Sequence, residues 1–251
     1  MELLTQTEMK KQVDLEYCIK CQIKITENYC SNCGNPKELK RIDRDYIFSE
    51  IGSVLNFDKG ILYTIKELLL RPGVTIRKFI LEDRNRIVKP IIFIIVSSLI
   101  YTILREFLHF EDDYIYVDNS DSSTSTNIFK WIQNNYGYGN LLMGIFIALW
   151  TKILFKKYEY NFYEILILLC FVMGIGMLFL AFFGIIEGLT KLKVLQFGGM
   201  AFVIYATWGI GQFFDRKKWT NYLKGLLAYF LGLATFTIVI MLFGKLIDIA
   251  T

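Results

Sequence analysis

The sequence predicts an all-α integral membrane protein of about five transmembrane helices, preceded by a small cysteine-rich module and amphipathic interfacial helices. Of its 251 residues, 54% are hydrophobic and 16% aromatic, which exceeds the soluble average. Charge is concentrated at the front, where residues 1–89 hold 16 of the 28 Lys and Arg and 13 of the 24 Asp and Glu. Four of the five cysteines lie there too. The predicted domains are a cysteine module with its flanks at 1–40, juxtamembrane helices at 41–89 and a transmembrane domain at 90–251.

The cysteine cluster has the spacing of a metal site. Two residues separate the cysteines of each pair and eight residues separate the pairs, which are Cys18, Cys21, Cys30 and Cys33. Each pair forms a tight knuckle, and two knuckles supply four thiolates at about 2.3 Å from a tetrahedral Zn²⁺. The cofactor predicted here is structural zinc. A closed four-thiolate site leaves no position for water, so we expect no catalysis from it.

The residues around the cysteines predict the shape of this zinc ribbon. Gly34 fits the turn after the second knuckle, and the alternation of Ile23 and Ile25 predicts a short hairpin between the pairs. Two disulfides are a weaker alternative, since a cytoplasmic module would be reduced. A rubredoxin-like iron site is disfavoured by the short gap between the pairs, and a thioredoxin-type redox pair by the absence of a strand-helix context. A domain this short needs a metal in order to fold. Cys170 is interpreted as a small packing residue.

The segment from 57 to 90 predicts two amphipathic basic helices. Ile61, Ile65, Leu68 and Leu69 recur at helical spacing, Arg71-Pro72-Gly73 breaks the helix, and a second piece covers 74–81. From residue 59 to 89, eight Lys and Arg face three acids. Such helices either lie on the inner leaflet or pack on the spans or a partner. The residues predicted to contact anionic head groups are Arg71, Arg77, Lys78, Arg84, Arg86 and Lys89.

This segment carries a family resemblance. The ribbon followed by a Leu-Leu-x-Arg-Pro-Gly segment is similar to a family of uncharacterised bacterial integral membrane proteins, a domain of unknown function. The resemblance covers roughly residues 16–104 and implies architecture without an activity. Glu82-Asp83-Arg84 stands where the family pattern implies a small basic turn. The positions that carry the resemblance are Asp58, Thr64, Leu68, Leu69, Arg71, Pro72, Gly73, Arg77, Arg84 and Pro90.

Five apolar stretches approach the roughly 20 residues that a helix needs to cross a bilayer. They lie near 90–110, 138–155, 163–186, 195–214 and 225–247. Lys and Arg are concentrated before the first span, in the second-to-third loop and in the fourth-to-fifth loop. The positive-inside rule then places the N-terminus in the cytoplasm and the C-terminus outside the inner membrane. The polar segment 111–137 is predicted to be an exposed outer loop, partly disordered.

Intramembrane chemistry is not expected, because ionisable residues lie near span ends. Lys152, Glu164, Glu187 and Lys245 are interpreted there as snorkelling side chains. No catalytic motif is present, so the protein is predicted not to be an enzyme. Small residues suit close helix packing, within one subunit by default or in a homo-oligomer. They are Gly184, Gly188, Gly225, Ala228 and Gly232.

The functional hypothesis is a non-enzymatic membrane scaffold or regulator whose ribbon recruits a cytoplasmic protein partner to an anionic inner leaflet. The alternative is an oligomeric pore or membrane-disrupting effector, in defence or stress, gated by the same module. Lipid or small-molecule transport is less favoured, because it depends on only three polar residues, Thr207, Gln212 and Thr235. The net charge of +4 gives no evidence for nucleic acid.

Overall fold

A computed structural model of the chain describes residues 17–37, 43–44, 60–110 and 123–250, without the side chains of 133–134, 136–137 and 250. Predictions that concern residues 1–16, 38–42, 45–59 and 111–122 lie outside the described residues. They include Asp58 and the first part of the predicted outer loop. In the described ranges the regular elements are helices. They are α1 (Ile61–Leu70), α2 (Pro72–Leu81), α3 (Pro90–Leu108), α4 (Thr124–Asn134), α5 (Tyr136–Leu154), α6 (Phe162–Thr190), α7 (Leu195–Asp215) and α8 (Trp219–Ala250).

Four of these helices, α3, α6, α7 and α8, are long and apolar enough to cross a membrane, which supports a membrane protein. Their bounds agree with four of the five predicted spans. The remaining predicted span corresponds to α5, in which the apolar stretch Tyr138–Leu154 is shorter. All 19 residues of α5 together rise about 28 Å.

Helix α6 is the centre of the bundle. Its most apolar stretch is 67% buried, against 33% in α3 and 28% in α8. Two glycines of α6 let neighbouring aromatic rings approach its backbone: a Cβ at Gly174 would lie 2.7 Å from Phe93 of α3, and one at Gly176 would lie 2.3 Å from Phe202 of α7. The rings therefore fill space that a larger residue would need.

The predicted outer loop is partly helical, which corrects the sequence interpretation from residue 124 onward. Ser123 caps α4 by accepting a hydrogen bond from the Thr126 N–H. Helix α4 packs along the far end of α8, where a Cβ at Gly244 would lie 2.2 Å from Ser125 Oγ. After one non-helical residue, Asn135, α5 continues down α8 to a close approach of Ile147 and Gly232. A broken helix thus runs antiparallel to α8, although the Ser/Thr-rich segment showed no helical period.

The two acids at the ends of α6 cap helices, which corrects the snorkelling interpretation. Glu164 and Asn161 form a reciprocal capping box at the start of α6. At the other end, Oε2 of Glu187 accepts the N–H groups of Val194 and Leu195 at 2.8 and 2.7 Å. These carboxylates satisfy helix N-termini that would otherwise be unpaired in an apolar environment.

Two lysines also bind backbone carbonyls, one in a loop and one at a helix end. Lys152 donates to the carbonyl of Tyr160, and Lys224 donates to the carbonyl of Leu154 at 3.2 Å. Leu154 is the last residue of α5, whose final carbonyls have no partner within the helix. A cation there also complements the negative end of the helix dipole.

Candidate metal centre and its contact with the helical bundle

The four predicted ligand cysteines converge on one point. Their sulfur atoms all lie within 4.8 Å of one another. Three sulfur pairs are 3.4 to 3.6 Å apart: Cys21 with Cys30, Cys18 with Cys33, and Cys21 with Cys33. Thiolates at about 2.3 Å from a tetrahedral ion would be about 3.8 Å apart, whereas a disulfide needs about 2.05 Å. The donor set therefore fits a four-thiolate metal site and no disulfide.

The site is built from two copies of one knuckle. Residues 17–24 and 29–36 both begin with Tyr-Cys-x-x-Cys. An antiparallel bridge closes each copy, Tyr17 with Lys24 in the first and Tyr29 with Pro36 in the second. The same backbone hydrogen bonds recur in both, from Gln22 to Cys18 and from Gly34 to Cys30, each 2.8 Å. The predicted hairpin between the pairs is wrong in this respect, because the pairing closes each knuckle separately.

Backbone amides favour the thiolate form of one cysteine in each knuckle, Cys18 and Cys30. The N–H groups of Cys33 and Asn32 point at the sulfur of Cys30 and lower its pKa to about 6. Burial raises the pKa of Cys18, but the N–H groups of Cys21 and Lys20 outweigh it and the net shift is downward. A thiolate is the form that binds a metal, so the backbone prepares both sulfurs for an ion.

The ribbon contacts the turn that follows α2. The ammonium of Lys20 lies 3.1 Å from Oδ2 of Asp83, and Asn35 donates to the carbonyl of Glu82 at 3.5 Å. Asp83 is only 8% exposed, and its other oxygen accepts the N–H of Asn85 at 2.9 Å. The hydrogen bond and charge of Asp83 raise the pKa of Lys20. The Glu-Asp-Arg sequence, which departs from the expected basic turn, therefore contacts the ribbon.

The predicted break between the juxtamembrane helices is a single residue. Arg71 is exposed between α1 and α2, and Pro72 opens α2 at a position where its missing N–H costs nothing. The buried face of α1 carries Thr64 and Leu68. Leu69, which the sequence assigned to this face, is 40% exposed. Successive helical residues lie about 100° apart, so Leu69 lies at the edge of the apolar face whose buried centre holds Leu68.

The second juxtamembrane helix packs on the membrane helices. Thr75, Ile76, Phe79 and Ile80 are buried, and the Phe79 ring meets Phe171 of α6 edge-on at 5.4 Å. This favours packing on the spans for α2, one of the two placements that the sequence left open. The hydroxyl of Tyr205 donates to the carbonyl of Leu68 at 3.1 Å and joins α1 to α7.

The basic residues predicted to touch head groups surround this hairpin. Arg71 is exposed, whereas Arg77, Lys78, Arg84, Arg86 and Lys89 are half-buried. Arg86 pairs with Glu67 of α1 at 3.4 Å. The arginine therefore holds α1 to the turn after α2, and contact of these six residues with lipid stays a prediction.

The small residues predicted for helix packing face other helices of the same chain. A Cβ at Gly184 would lie 2.5 Å from the Phe110 ring, and one at Gly188 would lie 2.8 Å from Leu108. Gly225 approaches Ile210, Gly232 approaches Ile147, and Ala228 is fully buried. These positions are therefore occupied by packing inside the chain.

Comparison with known proteins gives one match. Residues 58–102 match the model of a family described as "Protein of unknown function (DUF3667)". This range contains the ten positions named for the resemblance, from Asp58 to Pro90, but it excludes the ribbon, with which the resemblance begins. No curated protein and no solved structure matches the chain.

Sequence reasoning missed the residues that join the ribbon and the hairpin to the bundle. They are Lys20, Asn35, Asp83, Tyr205 and Gln212. Lys20 lies between two ligand cysteines, and Asp83 stands in an otherwise basic stretch, which is a weak signal for a pair. Nothing in the sequence places Gln212 or Tyr205 beside a segment more than 130 residues earlier.

Proposed function

We propose that the protein is a non-enzymatic regulator or scaffold of the inner membrane whose zinc ribbon binds a cytoplasmic protein. The observation that carries this proposal is the two-sided ribbon. One side contacts the turn after α2 through Lys20 and Asn35. Elsewhere on its surface, Tyr17, Ile23 and Tyr29 are 56%, 42% and 65% exposed. Aromatic and aliphatic side chains held on a rigid module are suited to protein binding.

The metal in this proposal is zinc, and the ribbon is cytoplasmic. The sulfur tetrahedron supports a closed structural site, and the positive-inside distribution supports the orientation. We further propose that α5, extended by α4, forms a fifth span. Its 19 residues approach the roughly 30 Å of a bilayer core, and it runs antiparallel to α8. With five spans, residue 250 lies on the outer side.

The oligomeric pore is the less favoured function. Its sequence support was a set of small residues available for contacts between subunits. Those residues approach side chains of the same chain, such as Phe110 at Gly184 and Ile147 at Gly232. Contacts inside the chain therefore explain their size.

The test is a crosslinked pull-down from membranes with the surface variant Ile23→Asp. The added charge should abolish partner capture without touching a ligand cysteine. The matched control is Ser31→Asp, which adds the same charge at an exposed polar position of the second knuckle. Both variants should retain the metal and their place in the membrane. Equal capture by Ile23→Asp and the unmutated chain would contradict the proposed binding surface.

A further inference from the structure

A cleft of about 520 Å³ lies between the ribbon and the α1–α2 hairpin. This volume is within the range of small-molecule sites, about 300 to 1,000 Å³. Its walls come from three parts of the chain: the first knuckle, α1 and α2 with the turn that follows. The polar side chains used in the following argument are Lys20, Tyr63, Lys78, Glu82, Asp83 and Arg86.

Some of the charges in the cleft are paired with one another. The groups that remain are cationic donors and one carboxylate acceptor. Asp83 is engaged by Lys20 and by the N–H of Asn85, so its carboxylate is satisfied within the wall. Arg86 uses one terminal nitrogen on Glu67 and also hydrogen-bonds Tyr63, which leaves further N–H groups of its five-donor guanidinium fork. Lys78 of α2 and Glu82, which caps the C-terminus of α2 one turn later, line the cleft with opposite charges.

We propose that this cleft binds a phosphate group that also carries a hydrogen-bond donor. Lys78 and Arg86 supply charge-assisted donors to the phosphate oxygens, as in other phosphate sites. Glu82 accepts from the hydroxyl or ammonium of the same ligand. Lys20 of the ribbon lines the same cleft and has ammonium donors beyond the one that faces Asp83, so a phosphate that it also binds bridges the ribbon and the membrane-packed helix.

Two sources can supply this chemistry: the head group of an inner-leaflet lipid and a soluble phosphate ester. The location favours the lipid. Helix α3 begins at Pro90, four residues after Arg86. Leu62 and Leu81, each next in sequence to a residue that lines the cleft, are 81% and 49% exposed. Exposed leucines beside basic residues suit the boundary between head groups and acyl chains.

The experiment uses the full chain in nanodiscs of phosphatidylcholine, with and without phosphatidylglycerol, and native mass spectrometry to count retained lipids. Phosphatidylglycerol offers hydroxyl donors, whereas the choline head group offers none. We expect preferential retention of phosphatidylglycerol, reduced about tenfold by Lys78→Gln, as for loss of one charge-assisted hydrogen bond. The matched control is Lys66→Gln, on the exposed side of α1, which should leave retention unchanged.

A second variant and a second probe keep the outcomes distinct. Glu82→Gln should reduce the preference for phosphatidylglycerol over phosphatidylcholine, because its acceptor is weakened. Calorimetric titration of glycerol 3-phosphate into phosphatidylcholine nanodiscs tests the soluble source, and binding that Lys78→Gln abolishes would support the site with that ligand. Equal retention of both lipids together with no binding of glycerol 3-phosphate would overturn the proposal, as would equal effects of Lys78→Gln and Lys66→Gln. The outcome does not depend on whether the ribbon recruits a protein.

Discussion

The backbone N–H of Gly73 donates a hydrogen bond of 2.8 Å to Oε1 of Gln212, across 139 residues of sequence. Gly73 lies in the first turn of α2, where N–H groups have no partner inside the helix. Gln212 lies near the end of α7 that meets the hairpin. One amide side chain therefore caps the juxtamembrane helix and fixes it to a membrane helix.

Gly73→Ala should destabilise the protein strongly. A Cβ at Gly73 would lie 2.3 Å from the backbone N of Phe213 and 2.4 Å from the backbone carbon of Gln212. Backbone atoms cannot rotate away, so we expect a cost of about 3 kcal/mol, at the upper end for overpacking. The measurement is thermal unfolding in detergent. Gly199→Ala, at a position of α7 with open space, is the control and should not lower the midpoint, because alanine favours a helix more than glycine does.

Gln212→Met should lower stability by removing an acceptor while keeping the size of the side chain. The buried N–H of Gly73 would be left without its partner, which costs about 1 to 3 kcal/mol. Gln196→Met makes the same change at an exposed position of the same helix and should be neutral. Detergent denaturation of both variants measures the difference. Identical curves would show that this hydrogen bond contributes nothing to the docking of α2.

The helices of the bundle could be predicted from sequence because their signal is local. Apolar runs and flanking Lys and Arg placed the helix that begins at Pro90 and the one that ends at Asp215 with bounds close to those observed. The cysteine spacing likewise placed four ligands within 4.8 Å of one another, because two short loops suffice to bring them together.

The contacts between modules could not be predicted, because they pair residues far apart in sequence. Asp83 appeared as an exception in a basic stretch, and its contacts with Lys20 and with the N–H of Asn85 explain it. Helix α4 was missed for a different reason. Its Ser and Thr residues favour loops, whereas in the structure it is a helix that packs against α8 at Gly244.

Substitution of a ligand cysteine should remove the metal. Elemental analysis of the unmutated protein should find one zinc ion per chain. Cys18→Ser leaves three thiolates, so the purified variant should contain much less zinc per chain. Cys170→Ser is the control, since this cysteine lies in α6 away from the cluster. Equal metal content in both variants would exclude the four-cysteine site. Iron in place of zinc would keep the site and correct the metal.

Gln22→Gly should strengthen the ribbon. Gln22 has φ +59° at the position where the second knuckle has Gly34 with φ +69°. A non-glycine residue pays about 1 kcal/mol for this left-handed conformation, so glycine should stabilise the folded knuckle by a similar amount. Zinc affinity measured by competition with a chelator should rise about fivefold. Gly34→Ala is the reciprocal change and should weaken binding; a weaker site in both variants would contradict the strain argument.

Asp83→Asn should release the ribbon from the bundle without removing its metal. The amide oxygen can still accept from Asn85, but the ion pair with Lys20 is lost, and Lys20 is half exposed, so the change is about 1 kcal/mol. Hydrogen exchange of residues 17–37 should therefore speed up about fivefold at the contact side. Glu27→Gln removes one acidic charge from an exposed position of the ribbon and serves as the control. Unchanged exchange in Asp83→Asn would contradict this role of the ion pair and show that other contacts hold the ribbon. Asn35→Ala would then be the variant that should release it, because Asn35 donates to Glu82 at the same contact.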